Sequence, residues 1–305
     1  MASSKEIRSK ISTVGNIKKI TSAMEMIART KMKRAVDGVL SVRPYALYAQ
    51  ELLQNLGSDK TIENPYLDKK NKNQNSNKVL LIVIAGDKGL CGGYNANIIR
   101  EFRRRQKASQ ELDIIAIGKK AVLETKKAGL PLLSEYADIP DKITAEFIHP
   151  IAEQARKKYL TGDYKEVELL FTDFESSFVQ KVRTRVILPI DLGYIASVLD
   201  ESASEETKGE NLAKSEISTF SPYLLEPSAN IIIETIVPKL VDMSLMHALF
   251  ESRASEESSR MFAMKNATEN AEELKADLTL TFNRIRQQGI TQEIAEIAAG
   301  AEAIK

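Results

Sequence analysis

Residues 239–288 read KLVDMSLMHALFESRASEESSRMFAMKNATENAEELKADLTLTFNRIRQQ, with neither glycine nor proline. As one helix at about 1.5 Å per residue, these roughly 50 positions would run for about 75 Å, far beyond an ordinary globular helix. With Ile236 at heptad position a, the a slots are Ile236, Met243, Phe250, Glu257, Met264, Ala271, Leu278 and Ile285. The d slots are Leu240, His247, Ala254, Met261, Thr268, Lys275 and Phe282. Eleven of these fifteen are apolar, which predicts a coiled-coil seam rather than the wider stripe of a helix lying on a globular core. Glu257, Thr268 and Lys275 interrupt it, and the neighbouring Ser252, Ser255, Ser258 and Ser259 are small. A partner helix is therefore expected, held without a tight grip.

The first 60 residues supply that partner. Ile7, Ile11, Val14, Ile17, Ile20, Met24, Ile27, Met32, Val36 and Leu40, then Tyr48, Leu52 and Leu56, step by threes and fours as a second seam. Ser3 and Ser4 ahead of Glu6 form an N-terminal cap signal, and Pro44 predicts a kink. Basic residues far outnumber acidic ones here, and Arg29, Lys31, Lys33 and Arg34 cluster. Such a cluster is either a solvated face or a surface for an acidic partner.

Between the helices the character changes twice. The asparagine- and lysine-rich 61–77 buries almost nothing and reads as a linker, as does the acidic, serine-rich 196–226. Residues 78–195 alternate strand and helix: VLLIVIAG, a helix from Asn95, LDIIAIG, a helix over Lys119–Ala128, a helical TAEFIHPIAEQARKKYL broken before Pro150, then VELLFTDF and VQKVRTRVILPI. The predicted fold is α/β plus long helices. Segments 1–60 and 227–305 pair as an antiparallel two-helix coiled coil, and 78–195 is inserted as a Rossmann-like domain with a mostly parallel sheet.

Composition excludes several function classes. A net charge of +1 argues for neither nucleic acid nor an anionic membrane surface, and one cysteine, Cys91, forms no internal disulfide. The longest apolar run, Val79–Ala85, is far too short to span a bilayer, and MASSKEIRSK has no signal-peptide core. In GDKGLCGGYN the spacing of Gly86, Gly89, Gly92 and Gly93 fits no phosphate-loop pattern, which favours a tight strand-to-helix turn over nucleotide binding. His149 and His247 have no metal-ligand partners at local spacing, and no base accompanies Cys91. No catalytic, cofactor-binding or metal-binding residue is expected.

The C-terminal ITQEIAEIAAGAEAIK is almost wholly apolar at Ile290, Ile294, Ile297, Ala298, Ala301 and Ile304, a tip that another protein should sheathe. This segment, with IRSKISTVGNIKKITSAMEMIARTKMKRA near the start, RPYA at Arg43–Ala46, GLCGGYN at Gly89–Asn95 and SRMFAMKNATEN at Ser259–Asn270, resembles the gamma-subunit family of rotary F-type ATP synthases over essentially the whole chain. The resemblance implies a central shaft turning inside a ring of three alpha and three beta subunits, with an epsilon subunit and a membrane ring of c subunits at its foot. The nucleotide chemistry would belong to the beta subunits. By the same resemblance Met24, Arg29, Lys31, Lys33, Arg34, Arg260, Gln287, Thr291 and Glu293 would meet the alpha/beta ring, and Tyr223 and Glu226 the c ring. The family's placement is the face of a membrane, here expected to be the cytoplasmic face of a bacterial inner membrane. A free-standing coiled-coil adaptor is the alternative, and it would not require the apolar tip.

Overall fold

The computed structural model describes residues 4–57, 66, 78–108, 111–190 and 229–303. Nearly all of the linker 61–77 and the whole of 196–226 lie outside these. The chain divides into two compact units, Met1–Thr30 with Arg260–Lys305, and Lys31–Ser259. Two helices belong to both: α1 (Ser4–Gly57), continuous through Pro44, and α5 (Ala229–Ala303), continuous through Pro238.

The larger unit is built on β1 (Val79–Ile84), α2 (Tyr94–Lys107), β2 (Leu112–Ile117), α3 (Lys119–Ala128), β3 (Leu132–Tyr136), α4 (Ala145–Leu160), β4 (Glu166–Phe174) and β5 (Gln180–Leu188). The sheet order is β3-β2-β1-β4-β5, parallel except for β5, which pairs antiparallel with β4. β1 and β2 are buried along their whole length because both faces of the sheet are covered, which is why they read as unbroken apolar runs. On one face Leu81, Val83 and Ile114 pack with Tyr94, Ile98 and Phe102 of α2 and Ala121 and Val122 of α3. On the other Leu80, Ile82, Ile115 and Phe171 pack with Ile148, Ile151 and Ala155 of α4 and with Ile233, Val237, Val241 and Leu245 of α5. α4 runs unbroken through Pro150, which lies near its start, where the missing N–H removes only one ladder bond.

The serines of α5 have a different role from the one their size suggested. β1 pairs with β4 only as far as Leu170. Two residues further, the Thr172 amide donates to Ser252 Oγ (3.3 Å) and the Thr172 carbonyl accepts from Ser255 Oγ (3.4 Å). Ser258 Oγ donates to the Ser177 carbonyl (2.6 Å) and Ser259 Oγ to Gln180 Oε1 (3.3 Å). The serines are small so that α5 can lie against β4 and its hairpin and satisfy backbone that has lost its strand partner. Residues 251–258 are accordingly buried around nearly the full helix circumference. On the α1 side, a Cβ at Gly38 would fall 2.5 Å from the Phe250 ring, so glycine permits that approach.

In the smaller unit α5 keeps one heptad frame: Met261, Met264 and Ala271 are buried and Lys275 is exposed. The α1 side differs from expectation. Its buried row is Ile7, Val14, Thr21 and Ala28, a strict step of seven, whereas Ile17, Ile20 and Ile27 face outward. Thr268 Oγ1 donates to Thr21 Oγ1 (2.7 Å), Thr21 donates on to its own helix at the Ile17 carbonyl (3.1 Å), and Lys18 pairs with Glu272 (2.6 Å). The numbers run in opposite directions, so the helices are antiparallel, and the polar interruption at Thr268 is filled. Because both hydroxyls already have partners, changing Thr21 and Thr268 together to valine is expected to leave stability within about 1 kcal/mol of the original or raise it. Thermal melting followed by circular dichroism would show this, and a loss of several kcal/mol would count against the threonine pair as drawn.

Candidate partner-binding surface

The end of α5 presents bare apolar side chains: Ile290, Ile294 and Ile297 are 49%, 62% and 72% exposed. Interleaved with them, Gln287, Thr291 and Glu293 are exposed as well. The Thr291 hydroxyl donates to the Gln287 carbonyl one turn back (2.9 Å), and Gln292 Nε2 donates to Glu296 Oε1 (2.9 Å). Arg284, Gln287, Gln288, Thr291, Gln292 and Ala295 line a shallow groove along this stretch. Three large aliphatic side chains left in water on a helix end are expensive unless something covers them.

The other residues singled out from sequence are placed unevenly. Met24 is half-buried, and Arg29 is exposed and bonded to Glu25 (3.0 Å). Arg260 is buried beside Met261, so its guanidinium is not a freely offered contact. In the larger unit Lys33 and Arg34 are exposed, while Lys31 pairs with Asp141 (2.7 Å), which also takes Arg253 (2.9 Å). The hydrogen bond from Lys31 holds the Asp141 carboxyl below its usual range. Tyr223 and Glu226 lie outside the described residues. Sequence reasoning missed the outward stripe of Ile17, Ile20 and Ile27, a second exposed apolar surface. The step-of-seven row of smaller residues, Val14, Thr21 and Ala28, carried the signal.

The glycine loop is closed by its own side chains. Asp87 Oδ1 accepts from the Lys119 amide at the start of α3 (2.9 Å), and Oδ2 accepts from the Ile139 amide (2.9 Å). Asn95 Oδ1 accepts from the Gly86 amide (2.9 Å), and its Nδ2 donates to the Lys88 carbonyl (3.2 Å) and to Cys91 Sγ (3.1 Å). A carboxylate on the α3 N-terminus already occupies the position where a phosphate would be stabilised, and would repel one. His149 meets Asp242 (2.8 Å) through tertiary packing, whereas His247 stands 3.4 Å from Glu251 one helical turn on, so the reading that His247 has no partner at local spacing is corrected: a carboxylate lies four positions along the same helix. Among the described residues there is no metal-ligand cluster, and no helix is long and apolar enough to cross a membrane.

A family model described as ATP synthase matches residues 3–304. The chain belongs to the ATP synthase gamma chain family. It is 36% identical to the gamma chain of Flavobacterium psychrophilum, with all of both chains covered. It is 37% identical to that of Flavobacterium johnsoniae, covering all of this chain and 99% of the relative. Among solved structures, the central stalk and c-ring of the Tetrahymena thermophila mitochondrial ATP synthase matches with TM-score 0.59 at 25% identity, over 81% of this chain and 99% of that one. The rotor of the Euglena gracilis mitochondrial ATP synthase matches with TM-score 0.61 over 94% of this chain and 98% of that one, a likeness of fold at 18% identity.

Proposed function

We infer that the chain is the central-stalk subunit of an F-type ATP synthase, turning inside a ring of three alpha and three beta subunits. It couples ion flow through the membrane c ring to ATP synthesis or hydrolysis at the beta subunits, with the epsilon subunit beside the α/β domain. The observation that carries this reading is the exposed row Ile290, Ile294 and Ile297 at the end of a 75-residue helix in a chain of this family. A coiled coil made of one chain has no threefold symmetry. It therefore offers a different face to each beta subunit and biases each between its conformations by differential contact. Shifting a two-state site from about 1:99 to 99:1 takes roughly 5.5 kcal/mol of such bias, a scale that several desolvated side chains reach.

The residue roles follow as part of the same reading. Gln287, Thr291 and Glu293 are the polar contacts to beta in an otherwise apolar sheath; Arg260, buried in the free chain, joins them only by turning its guanidinium outward on assembly. Met24, Arg29, Lys31, Lys33 and Arg34 face acidic beta surface, and Tyr223 and Glu226 stand at the c ring. The chain is a non-catalytic subunit with no cofactor of its own, held peripherally on the cytoplasmic face of a bacterial inner membrane. The test is to mix it with separately purified alpha and beta subunits and measure complex size and ATPase activity, with a form truncated after Gly289 alongside. An active complex of three alpha, three beta and one of this chain is expected, weakened by truncation. No association and unchanged activity would instead leave a free-standing adaptor.

A further inference from the structure

We propose that Lys31 and Arg253 form a carboxylate-binding site which Asp141 fills in the free chain as a stand-in for an acidic side chain of a protein partner, so that docking there exchanges one carboxylate for another. A single Asp141 oxygen, Oδ1, accepts from Lys31 Nζ on α1 (2.7 Å) and from the Arg253 guanidinium on α5 (2.9 Å). All three residues belong to the larger unit. Two cations on separate helices thus converge on one point, in charge-assisted bonds that any other carboxylate oxygen placed there would receive equally.

The anion is the replaceable member of the three. Its side chain is 73% exposed, against 30% for Lys31 and 14% for Arg253. Arg253 is also held by Glu256 (3.4 Å), whose side chain is buried. Asp141 lies in the segment between β3 and α4, and that segment is anchored without it. The Ile139 amide donates to Asp87 (2.9 Å), Asp138 pairs with Lys119 (2.6 Å), and Ile143 is buried. Turning the Asp141 side chain into water therefore needs no movement of the loop backbone. Exposed ion pairs favour the closed state only about fivefold at most, so a partner's carboxylate can compete.

The cations left behind keep a demand for negative charge. The Lys31 hydrogen bond, and then the charges of Lys31, Arg253 and Lys88, hold the Asp141 carboxyl below its usual range against the opposing effect of burial. Lys33 and Arg34 extend the positive surface along α1 and are exposed, which suits an acidic peptide segment better than a single small anion. Naming beta as the source of that segment rests on the central-stalk reading, in which Lys31 reaches beta by giving up Asp141; the site itself does not depend on it.

Zero-length carbodiimide coupling joins a carboxyl group to an ammonium in contact with it, with loss of water, and on the full-length chain it should link Lys31 to Asp141. With end-blocked pentaglutamate as the probe, Lys31 should couple to the peptide about threefold or more better in Asp141→Ala than in the unaltered chain. Lys10, exposed nearer the start of the same helix, is the internal control and should not change. Equal coupling at Lys31 in the two chains, or none in either, would overturn the exchange. Against preassembled alpha and beta subunits, Asp141→Ala should bind several-fold tighter at low salt, with the gain fading at high salt and absent when Lys31→Gln is added. Unchanged or weaker affinity would refute exchange on docking. Failure of the unaltered chain to bind the ring, with the peptide result intact, would strike the central-stalk reading and uphold the site.

Discussion

Gly118→Ala is expected to destabilise the sheet-containing unit by about 3 kcal/mol or more, a large share of the roughly 5–15 kcal/mol that holds an ordinary chain folded. Gly118 follows β2 with φ +93° and ψ 145°, a conformation essentially restricted to glycine. A Cβ there would lie 2.0 Å from the Ala85 carbonyl oxygen, which is backbone and cannot swing aside. Both strands are pinned at this point, because the Ala85 amide donates to the Ile117 carbonyl (2.9 Å) and the Gly118 amide to the Tyr136 carbonyl (2.8 Å). Relieving the clash means parting β1 from β2 at the start of α3, where Asp87 caps the helix. Gly129 is the control: φ is +67° but nothing lies within 4 Å of its would-be Cβ. Gly129→Ala should cost only about 1–2 kcal/mol. Urea unfolding of the two variants separates steric exclusion from backbone strain, and equal midpoints would mean that the Ala85 approach is not confining.

The elements legible in the amino-acid sequence are those whose burial is simple. VLLIVI and LDIIAI are covered on both faces, so their composition alone marks them as strands of a mostly parallel sheet. β3, LLSEY, escapes such a reading because it is a half-buried edge strand without a continuous apolar signature. The heptad frame on α5 describes the stretch above Ser259 well and the stretch below it poorly. Below Ser259 the helix is flanked by a sheet face, a hairpin and α1, so Glu251, Ser252, Ser255 and Ser258 are buried and one seam no longer describes it. On α1 the large residues Ile17, Ile20 and Ile27 draw the predicted seam toward themselves. Contact between Thr268 and Thr21 instead places the smaller row through Thr21 and Ala28 in the interior. Hydrophobicity locates an apolar stripe there but does not tell an internal partner from an external one. The clasp of Lys31, Asp141 and Arg253 has no local signal, since Asp141 is more than 100 positions from either cation in sequence.

An external partner makes the opposite demand at the far end of α5, and this gives the most discriminating functional prediction. Changing Ile290, Ile294 and Ile297 together to glutamate should leave the isolated chain as stable as before. The three side chains are already in water, and glutamate is at least as good a helix former as isoleucine. In the proposed ring each isoleucine would lose its exposed area to the sheath, and burying such a side chain contributes about 1.5–3 kcal/mol. Removing three, and placing carboxylates where desolvation opposes them, should weaken seating in the alpha/beta ring by at least about a thousandfold, after allowing for the fraction of that energy spent on ordering the interface. Binding of labelled chain to preassembled alpha and beta subunits measures this, with the melting temperature of the free chain as the internal control. Unchanged affinity would mean that the apolar tip is not sheathed. A loss in both measurements would mean that the tip is packed within its own chain. Loss of binding with an unaltered melt is the outcome that exposed isoleucines on a shaft require.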